Sequence, residues 1–318
     1  MTHFDVFNGD ADGICALHQL RLATPTDSVL VSGVKRDIAL LQRVAARAGD
    51  SVTALDISLD VNRPALAALL ERGVRIEYFD HHFAGELPVH PNLSAVIEPS
   101  PGICTGMLVD RHLGGRYRIW AVVAAFGDNL PREGEALAEE LRLSETQMQD
   151  LRSLGETLSY NAYGDAEADL IVHPAALYRT LHRYTDPFEF IQAESIYETI
   201  SESRSVDLER AHIAEPEIKL SGATIYILPD EPSSRRVRGV LANELAQRFP
   251  DLAHAVLTRN AQGGYTVSVR APLRKGTGAD ALCRSFATGG GRVAAAGINH
   301  LPQDHLPEFV HQLDQAFP

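Results

Sequence analysis

Residues 4–22 read FDVFNGDADGICALHQLRL, and they join an apolar strand pattern to a helical pattern through a polar turn. Residues 4–7 are a short apolar run typical of a buried strand. Residues 14–22 place apolar side chains three and four positions apart, which is the helix period. The turn between them, residues 8–13, carries two aspartates at the end of the strand. A strand that turns directly into a helix is the beginning of a βαβ unit.

The same alternation continues along the first half of the chain. Strand patterns cover residues 29–31, 52–55, 74–79 and 95–97, and helical patterns cover residues 38–48 and 63–70. Strands separated by helices of this length imply a mostly parallel sheet with helices on its faces. The first half is therefore predicted to be α/β, with a doubly wound, mostly parallel sheet.

The second half changes in texture from about residue 132, where only helical patterns remain. Ser144 and Gln147 predict a capping box at the start of one of these helices. Strand patterns return at residues 223–228, 255–258 and 265–269, with helical patterns at 237–247 and 279–286. We predict one domain over residues 1–200, with a helical extension, a polar linker over 201–217, and a smaller α/β domain over 218–318.

The amino-acid composition limits the classes of binding partner and the cellular compartment. The 318 residues carry 42 acidic and 29 basic side chains, a net charge of -13, which argues against a channel for long duplex nucleic acid. The three cysteines are far apart and form no CxxC pair, so neither a disulfide framework nor a zinc ribbon is indicated. The N-terminal residues show no apolar segment behind a basic region, and no apolar run approaches the length of a membrane span, so we expect a cytoplasmic protein with no membrane partner.

Acidic and histidine side chains follow several of the predicted strands. They are Asp10 and Asp12 in residues 8–13, Asp56, the run Asp80-His81-His82, and Asp128 in Gly127-Asp128-Asn129. In a parallel sheet, the carboxyl ends of the strands meet at one edge, so these side chains are expected to converge. Each motif alone is also typical of an ordinary turn or a helix cap. Their occurrence at successive strand ends favours a site.

Carboxylates crowded in this way repel one another unless divalent cations share them. Mixed oxygen and imidazole ligands suit Mn²⁺, with Mg²⁺ or Co²⁺ as substitutes. Two such ions can activate a water molecule and stabilise both the attacking and the leaving oxygen of a phosphoester. An EF-hand is excluded, because counting from Asp10 puts Arg21 where the bidentate glutamate belongs.

These motifs, in their order along the chain, resemble the four motifs of the DHH phosphoesterases. Residues 289–297, GGGRVAAAG, are similar to the GGGHxxAAG signature of the family's associated C-terminal domain. The resemblance implies a catalytic metal-binding domain, a substrate-binding domain, and an active site in the cleft between them.

The resemblance also implies a role for each matching residue. Asp56 would bridge two metal ions, Asp10 would bind the first ion, and the second would be bound by Asp12, His81 and Asp128. Asn8 stands where RecJ-like members have an aspartate, and it is expected to be a weaker ligand of the first ion. His82 would lie either behind the metal ligands or near the scissile phosphate, and Asp56 and Asp80 complete the predicted catalytic group.

On the substrate side, the resemblance points to Arg270, which is expected to bind the phosphate or the base. Gly289, Gly290 and Gly291 would let the backbone approach the nucleotide, and Thr105 at a helix start would donate its hydroxyl to an anion. Arg292 replaces the histidine of the family signature, which favours an extra substrate phosphate.

Within the family, the length and the C-terminal signature favour the nanoRNase-like group. We therefore predict hydrolysis of short 5′-phosphorylated oligonucleotides, linear dinucleotides above all, to mononucleotides, by a protein that is expected to form a homodimer. The alternatives are a single-strand exonuclease, a phosphoadenosine phosphate phosphatase, and a non-catalytic nucleotide-binding regulator. A dinucleotide-cofactor fold is disfavoured, because the GxGxxA match at residues 289–294 has no strand pattern before it.

Overall fold

Five parallel strands form the first sheet: β1 (His3–Phe7), β2 (Val29–Val31), β3 (Ser51–Leu55), β4 (Arg75–Asp80) and β5 (Leu93–Ile97). Their order is β2-β1-β3-β4-β5, so the direction of winding reverses between β1 and β3. Ligands of open α/β sheets bind beyond the carboxyl ends of the strands at such a reversal. The predicted doubly wound parallel sheet is confirmed, and its topology places the binding crevice after β1 and β3.

The structure is a computed structural model that describes residues 1–318 as two units, Met1–Glu202 and Ser203–Pro318. Helices of the first unit are α1 (Ala11–Ala23), α2 (Leu59–Glu71), α3 (Thr105–His112), α4 (Arg118–Gly127), α5 (Pro131–Glu140), α6 (Glu145–Ala162), α7 (Pro174–Leu181) and α8 (Pro187–Ala193). The capping box of Ser144 and Gln147 is confirmed at the start of α6. Helix α9 (Ser195–His212) contains the boundary between the units, so most of the predicted linker is helical.

One face of the first sheet is covered by α2 and by the segment before β3. Val6, Ala54 and Tyr78 on this face belong to a buried cluster that includes Leu41 and Leu66. The neighbouring strand residues, such as Phe7, Leu55 and Phe79, are also buried. Successive side chains of a strand point to opposite faces, so both faces of the sheet are covered.

The helix predicted over residues 38–48 is wrong. Only Leu40–Arg43 is helical, as a single 3₁₀ turn. The Asn62 side chain takes backbone groups that a helix would use, accepting from Leu41 N at 3.1 Å and donating to Ile38 O at 2.6 Å. Leu40, Leu41, Val44 and Ala46 are buried without a helix, so the spacing of these apolar side chains reflects burial and not helical structure.

The second unit has a mixed sheet of six strands in the order β10-β11-β9-β8-β7-β6. Its elements are β6 (Ile218–Lys219), β7 (Ala223–Leu228), α10 (Pro232–Arg248), β8 (Ala253–Asn260), β9 (Gly264–Arg270), α11 (Ala279–Arg284), β10 (Gly289–Arg292), β11 (Ala295–Pro302) and α12 (Leu306–Ala316). Only β7 and β8 pair in parallel, and α10 connects them. Its core is a separate apolar cluster centred on residues such as Ile225, Val267 and Phe309.

The glycine-rich signature forms strand β10 at the edge of this sheet, paired antiparallel with β11. None of the helices has both the length and the apolar character needed to cross a lipid bilayer.

Candidate metal centre

The turn between β1 and α1 holds Asp10 and Asp12, whose side chains are 1% and 0% exposed. Asp10 is the N-cap of α1. Its Oδ1 accepts hydrogen bonds from Asp12 N at 3.1 Å and Gly13 N at 3.2 Å. This cap satisfies two of the amide groups that a helix start leaves without partners. It also fixes the direction in which the second Asp10 oxygen points.

The carboxylate of Asp12 is held by the start of helix α3. Its Oδ2 accepts from Thr105 N at 2.8 Å, and its Oδ1 accepts from Gly106 N at 2.7 Å. Position 106 must be glycine, because a Cβ there would lie 2.5 Å from the Cβ of Ala124 and 3.2 Å from Asp12 Oδ1. The two backbone donors therefore position a buried carboxylate at the carboxyl edge of the sheet.

Asp56 follows β3 in a left-handed backbone conformation, with φ of +57°. This conformation is uncommon outside glycine, and aspartate and asparagine tolerate it best. The Thr105 hydroxyl donates to Asp56 Oδ1 at 3.2 Å. Thr105 was predicted to donate this hydroxyl to an anionic ligand. It is instead fully buried behind the carboxylates, where its hydroxyl orients Asp56.

His81 presents one ring nitrogen to three carboxylates. Its Nδ1 is 2.9 Å from Ile103 O, so the proton is on Nδ1 and the Nε2 lone pair is free. Nε2 lies 3.4 Å from Asp56 Oδ1, 3.7 Å from Asp128 Oδ2 and 3.9 Å from Asp12 Oδ2. We call Asp12, Asp56, His81 and Asp128 the His81 cluster.

Asp80 and His82 form a second pair beside this cluster. Asp80 Oδ1 accepts from His82 Nδ1 at 2.6 Å and from His81 N at 2.9 Å. Asp80 is fully buried, whereas the His82 side chain is 36% exposed. Burial by itself lowers the pKa of His82, but the Asp80 hydrogen bond and charge outweigh it and raise that pKa above its usual value. Asp80 therefore positions His82 and favours its protonated form.

The ionised carboxylates of the His81 cluster are destabilised by burial and by repulsion between their negative charges. The pKa of Asp56 is raised well above its usual value by burial and then by the charges of Asp12, Asp10 and Asp128. The pKa of Asp12 is raised by burial and by Asp128. A bound divalent cation would remove both penalties.

The geometry of the His81 cluster fits a metal ion. One possible ligand group is Asp12, His81 and Asp128, and another is Asp56, His81 and His82, in each of which the ligand atoms lie within 4.8 Å of one another. Metal–ligand bonds of about 2.1 Å place adjacent ligand atoms about 3–4 Å apart, as they are around His81 Nε2. The nitrogen of His82 that is closest to the cluster is already hydrogen-bonded to Asp80. The His81 cluster is therefore the better ligand set.

Sequence reasoning missed Lys35, which enters the site from the segment after β2. Its ammonium is 2.6 Å from Asp10 Oδ2 and 3.4 Å from Asp128 Oδ1. Asn8, predicted as a metal ligand, donates from Nδ2 to Lys35 O at 3.2 Å and accepts from Asp10 N at Oδ1. The signal was available, because Lys35 lies four residues beyond the carboxyl end of β2. A lysine is not a metal ligand, however, so its position carries no signal in a search for ligand side chains.

The predicted substrate residues of the second unit lie on its sheet. Arg270 ends β9, where its Nε donates to Asn243 Oδ1 at 2.6 Å. Gly289 and Gly291 are required by their surroundings: a Cβ on the first would lie 1.7 Å from Cys283 O, and the second has φ of +138°. Gly290 faces open space, and Arg292 is exposed at the end of β10. Their roles toward a nucleotide stay predictions.

No protein-family model matches the sequence, and no curated protein matches it. Solved structures match over the full length. A manganese-bound exonuclease RecJ has a TM-score of 0.63 and 19% identity, with 100% of this chain and 91% of that chain covered. The Mn²⁺ complex of RecJ from Thermus thermophilus has the same TM-score and identity, and 100% of this chain covers 52% of that longer chain.

A third match is PggH from Vibrio cholerae, a pGpG-specific phosphodiesterase, with a TM-score of 0.57, 13% identity and 99% of both chains covered. The chain has the fold of these RecJ and PggH structures. The resemblance drawn from the motifs is thus confirmed at the level of the fold. In this fold, the predicted residues Asp10, Asp12, Asp56, His81 and Asp128 converge after β1, β3 and β4 and after helix α4.

Proposed function

We propose that the protein is a divalent-metal-dependent phosphodiesterase, and that its substrates are short 5′-phosphorylated oligonucleotides, above all linear dinucleotides, which it hydrolyses to mononucleotides. The observation that carries this proposal is His81 Nε2, which faces the carboxylates of Asp12, Asp56 and Asp128 at 3.4–3.9 Å, while Nδ1 donates to Ile103 O. Asp12 and Asp56 are buried, and Nε2 is the ring nitrogen that a metal ion shared with the three carboxylates would use.

In this proposal, different residues bind the metal ion and position its ligands. The His81 cluster would hold the metal ion, for which Mn²⁺ is the first choice. When bound, the ion would neutralise charge on the phosphoryl oxygens and lower the pKa of a coordinated water molecule. The backbone amides of Thr105 and Gly106 keep Asp12 in place without using a titratable group.

His82 has a separate task in this proposal. Its Nδ1 is bound to Asp80, which leaves Nε2 as the nitrogen that can orient the phosphate or transfer a proton to the leaving oxygen. Its partial exposure gives a ligand access to the ring, unlike Asp80 behind it. General acid catalysis of this kind contributes about 10²- to 10⁴-fold in rate.

Two observations support a short nucleotide over a long strand. The net charge of -13 disfavours an extended electropositive track. PggH, a pGpG-specific phosphodiesterase, matches 99% of its own length to 99% of this chain, whereas the two RecJ chains are covered to 91% and 52%. The higher TM-score of the RecJ exonucleases makes single-strand exonuclease activity the second candidate.

The test uses metal-stripped protein to which Mn²⁺ or Mg²⁺ is restored. Linear 5′-phosphorylated dinucleotides, longer single strands, cyclic dinucleotides, phosphoadenosine phosphate and pyrophosphate are followed by chromatography. We expect dinucleotides to be cleaved fastest, His81→Asn to abolish cleavage, and Asp27→Asn, which alters an exposed carboxylate, to leave it unchanged. Equal rates on long strands would favour the exonuclease. Nucleotide binding without cleavage by folded, metal-loaded protein would reject an enzymatic role.

A further inference from the structure

The Lys35 side chain lies where the first of the two predicted metal ions was expected. That ion was assigned to Asp10, and Lys35 Nζ lies 2.6 Å from Asp10 Oδ2. The other oxygen, Asp10 Oδ1, already caps helix α1 by accepting from two backbone amides. Asp10 Oδ2 is buried, and its partner is the Lys35 ammonium, with which it forms an ion pair. A metal ion could bind Asp10 only by competing with the ammonium group.

The main chain of Lys35 is fixed on both sides, so the ammonium is directed into the site. Lys35 N donates to Ala162 O at 2.8 Å, and Lys35 O accepts from Asn8 Nδ2 at 3.2 Å. The first contact ties the segment after β2 to the end of helix α6, and the second ties it to the turn after β1. Asn8, which is 3% exposed, thus supports the lysine backbone from within the site.

Asp128 separates two cation positions. Its Oδ1 faces the Lys35 ammonium at 3.4 Å, and its Oδ2 faces His81 Nε2 at 3.7 Å. The position between Asp10 and Asp128 is filled by a protein cation. The position inside the His81 cluster is lined by carboxylate oxygens and a basic nitrogen, and no protein cation lies there.

The charges of the site also favour Lys35 at one cation position and a divalent ion at the other. Four carboxylates, Asp10, Asp12, Asp56 and Asp128, surround both positions. Lys35 and one divalent ion would leave one net negative charge, whereas a second divalent ion would make this buried site positive and would lie against the ammonium. Asn8 is neutral and adds no negative charge at the first position, since its amide is hydrogen-bonded to Lys35 O and Asp10 N.

We propose that the Lys35 ammonium takes the first of the two predicted cation positions, so that the chain binds a single divalent ion, in the His81 cluster. The importance of this arrangement for turnover rests on the proposed phosphodiesterase function. The stoichiometry itself does not, and it is measured without substrate.

The experiment titrates metal-stripped, full-length protein with Mn²⁺ and follows free Mn²⁺ by electron paramagnetic resonance. We expect one equivalent to bind per chain, with no exchange coupling between manganese ions. Lys35→Met removes the ammonium and keeps an unbranched side chain that is one atom shorter, and this variant should bind a second equivalent. The matched control is Lys219→Met, which removes the charge of a side chain that is 70% exposed and should bind one equivalent.

Each outcome decides a point. Two equivalents in the unaltered protein, or an exchange-coupled spectrum, would overturn the proposal. One equivalent in both the unaltered protein and a cooperatively folded Lys35→Met variant would overturn the role of Lys35. The stoichiometry of the unaltered protein decides the matter even if that variant does not fold. One bound ion without phosphodiester cleavage would reject the proposed function and leave the assignment of Lys35 standing.

Discussion

Replacing Asp56 with asparagine should stabilise the metal-free protein and at the same time abolish its response to metal. Asparagine suits the position, because it tolerates the left-handed conformation that Asp56 adopts at φ of +57°. Its amide oxygen can also keep the hydrogen bond that Thr105 Oγ1 gives to Asp56 Oδ1. The substitution therefore changes charge with little change in shape.

The metal-free variant should gain stability because the substitution removes a buried charge that neighbouring carboxylates repel. The pKa of Asp56 is raised in the folded protein by burial and by neighbouring carboxylates, so folding is disfavoured at every pH above the unfolded value of about 3.9. This cost to the free energy of folding grows until the pH reaches the pKa of Asp56 in the folded protein. Each unit of difference between the folded and the unfolded pKa corresponds to about 1.4 kcal/mol. In a unit of this size, each kcal/mol gained raises Tm by about 2–4 °C.

In the presence of metal, the variant should instead lose the stabilisation that Mn²⁺ gives the unaltered protein. In the unaltered protein, Mn²⁺ at 100 times its Kd adds about 2.7 kcal/mol to the free energy of unfolding, which raises Tm by about 5–10 °C. Asp56→Asn removes a charged ligand atom that lies 3.4 Å from His81 Nε2, so most of this shift should disappear.

Calorimetry of metal-stripped protein near neutral pH, with and without Mn²⁺, measures both effects. Asp27→Asn is the control, because it removes an equal charge at an exposed position and should change neither value appreciably. A metal-free Asp56→Asn protein that is less stable than the unaltered one would refute the electrostatic reasoning. An unchanged Mn²⁺ shift in the variant would remove Asp56 from the ligand set.

Two further predictions concern other parts of the first unit. Asp5→Asn should cost about 3–5 kcal/mol at neutral pH, because Arg21, 7% exposed, loses its carboxylate partner. Burial alone raises the pKa of Asp5, but Arg21 outweighs it and lowers that pKa. The difference in denaturant stability between the unaltered protein and Asp5→Asn should therefore shrink as the pH falls below about 4. A difference that stays constant with pH would contradict this reasoning. His82→Gln should reduce kcat by about 10²- to 10⁴-fold with little change in Mn²⁺ affinity, and equal loss of both would make His82 a metal ligand.

Most of the sheet, and the convergence of acidic and histidine side chains at its edge, could be predicted from local patterns. Parallel strands show as short apolar runs, and residues just beyond their carboxyl ends share one edge, so Asp10, Asp56 and His81 could be grouped from their positions in the sequence alone. The failure over residues 38–48 has a tertiary cause. There the Asn62 side chain, distant in sequence, takes backbone groups that a helix would have used.

Local sequence sets which strand ends carry carboxylates and imidazoles, because each of these positions is fixed by the residues next to it. The balance of the charges depends instead on contacts between segments that are distant along the chain. Lys35 is directed toward Asp10 by backbone hydrogen bonds to Ala162 and Asn8, which are remote along the chain. Thr105 is turned inward to Asp56 in the same way. Such contacts depend on how loops meet in space, and periodicity and spacing carry no signal for them.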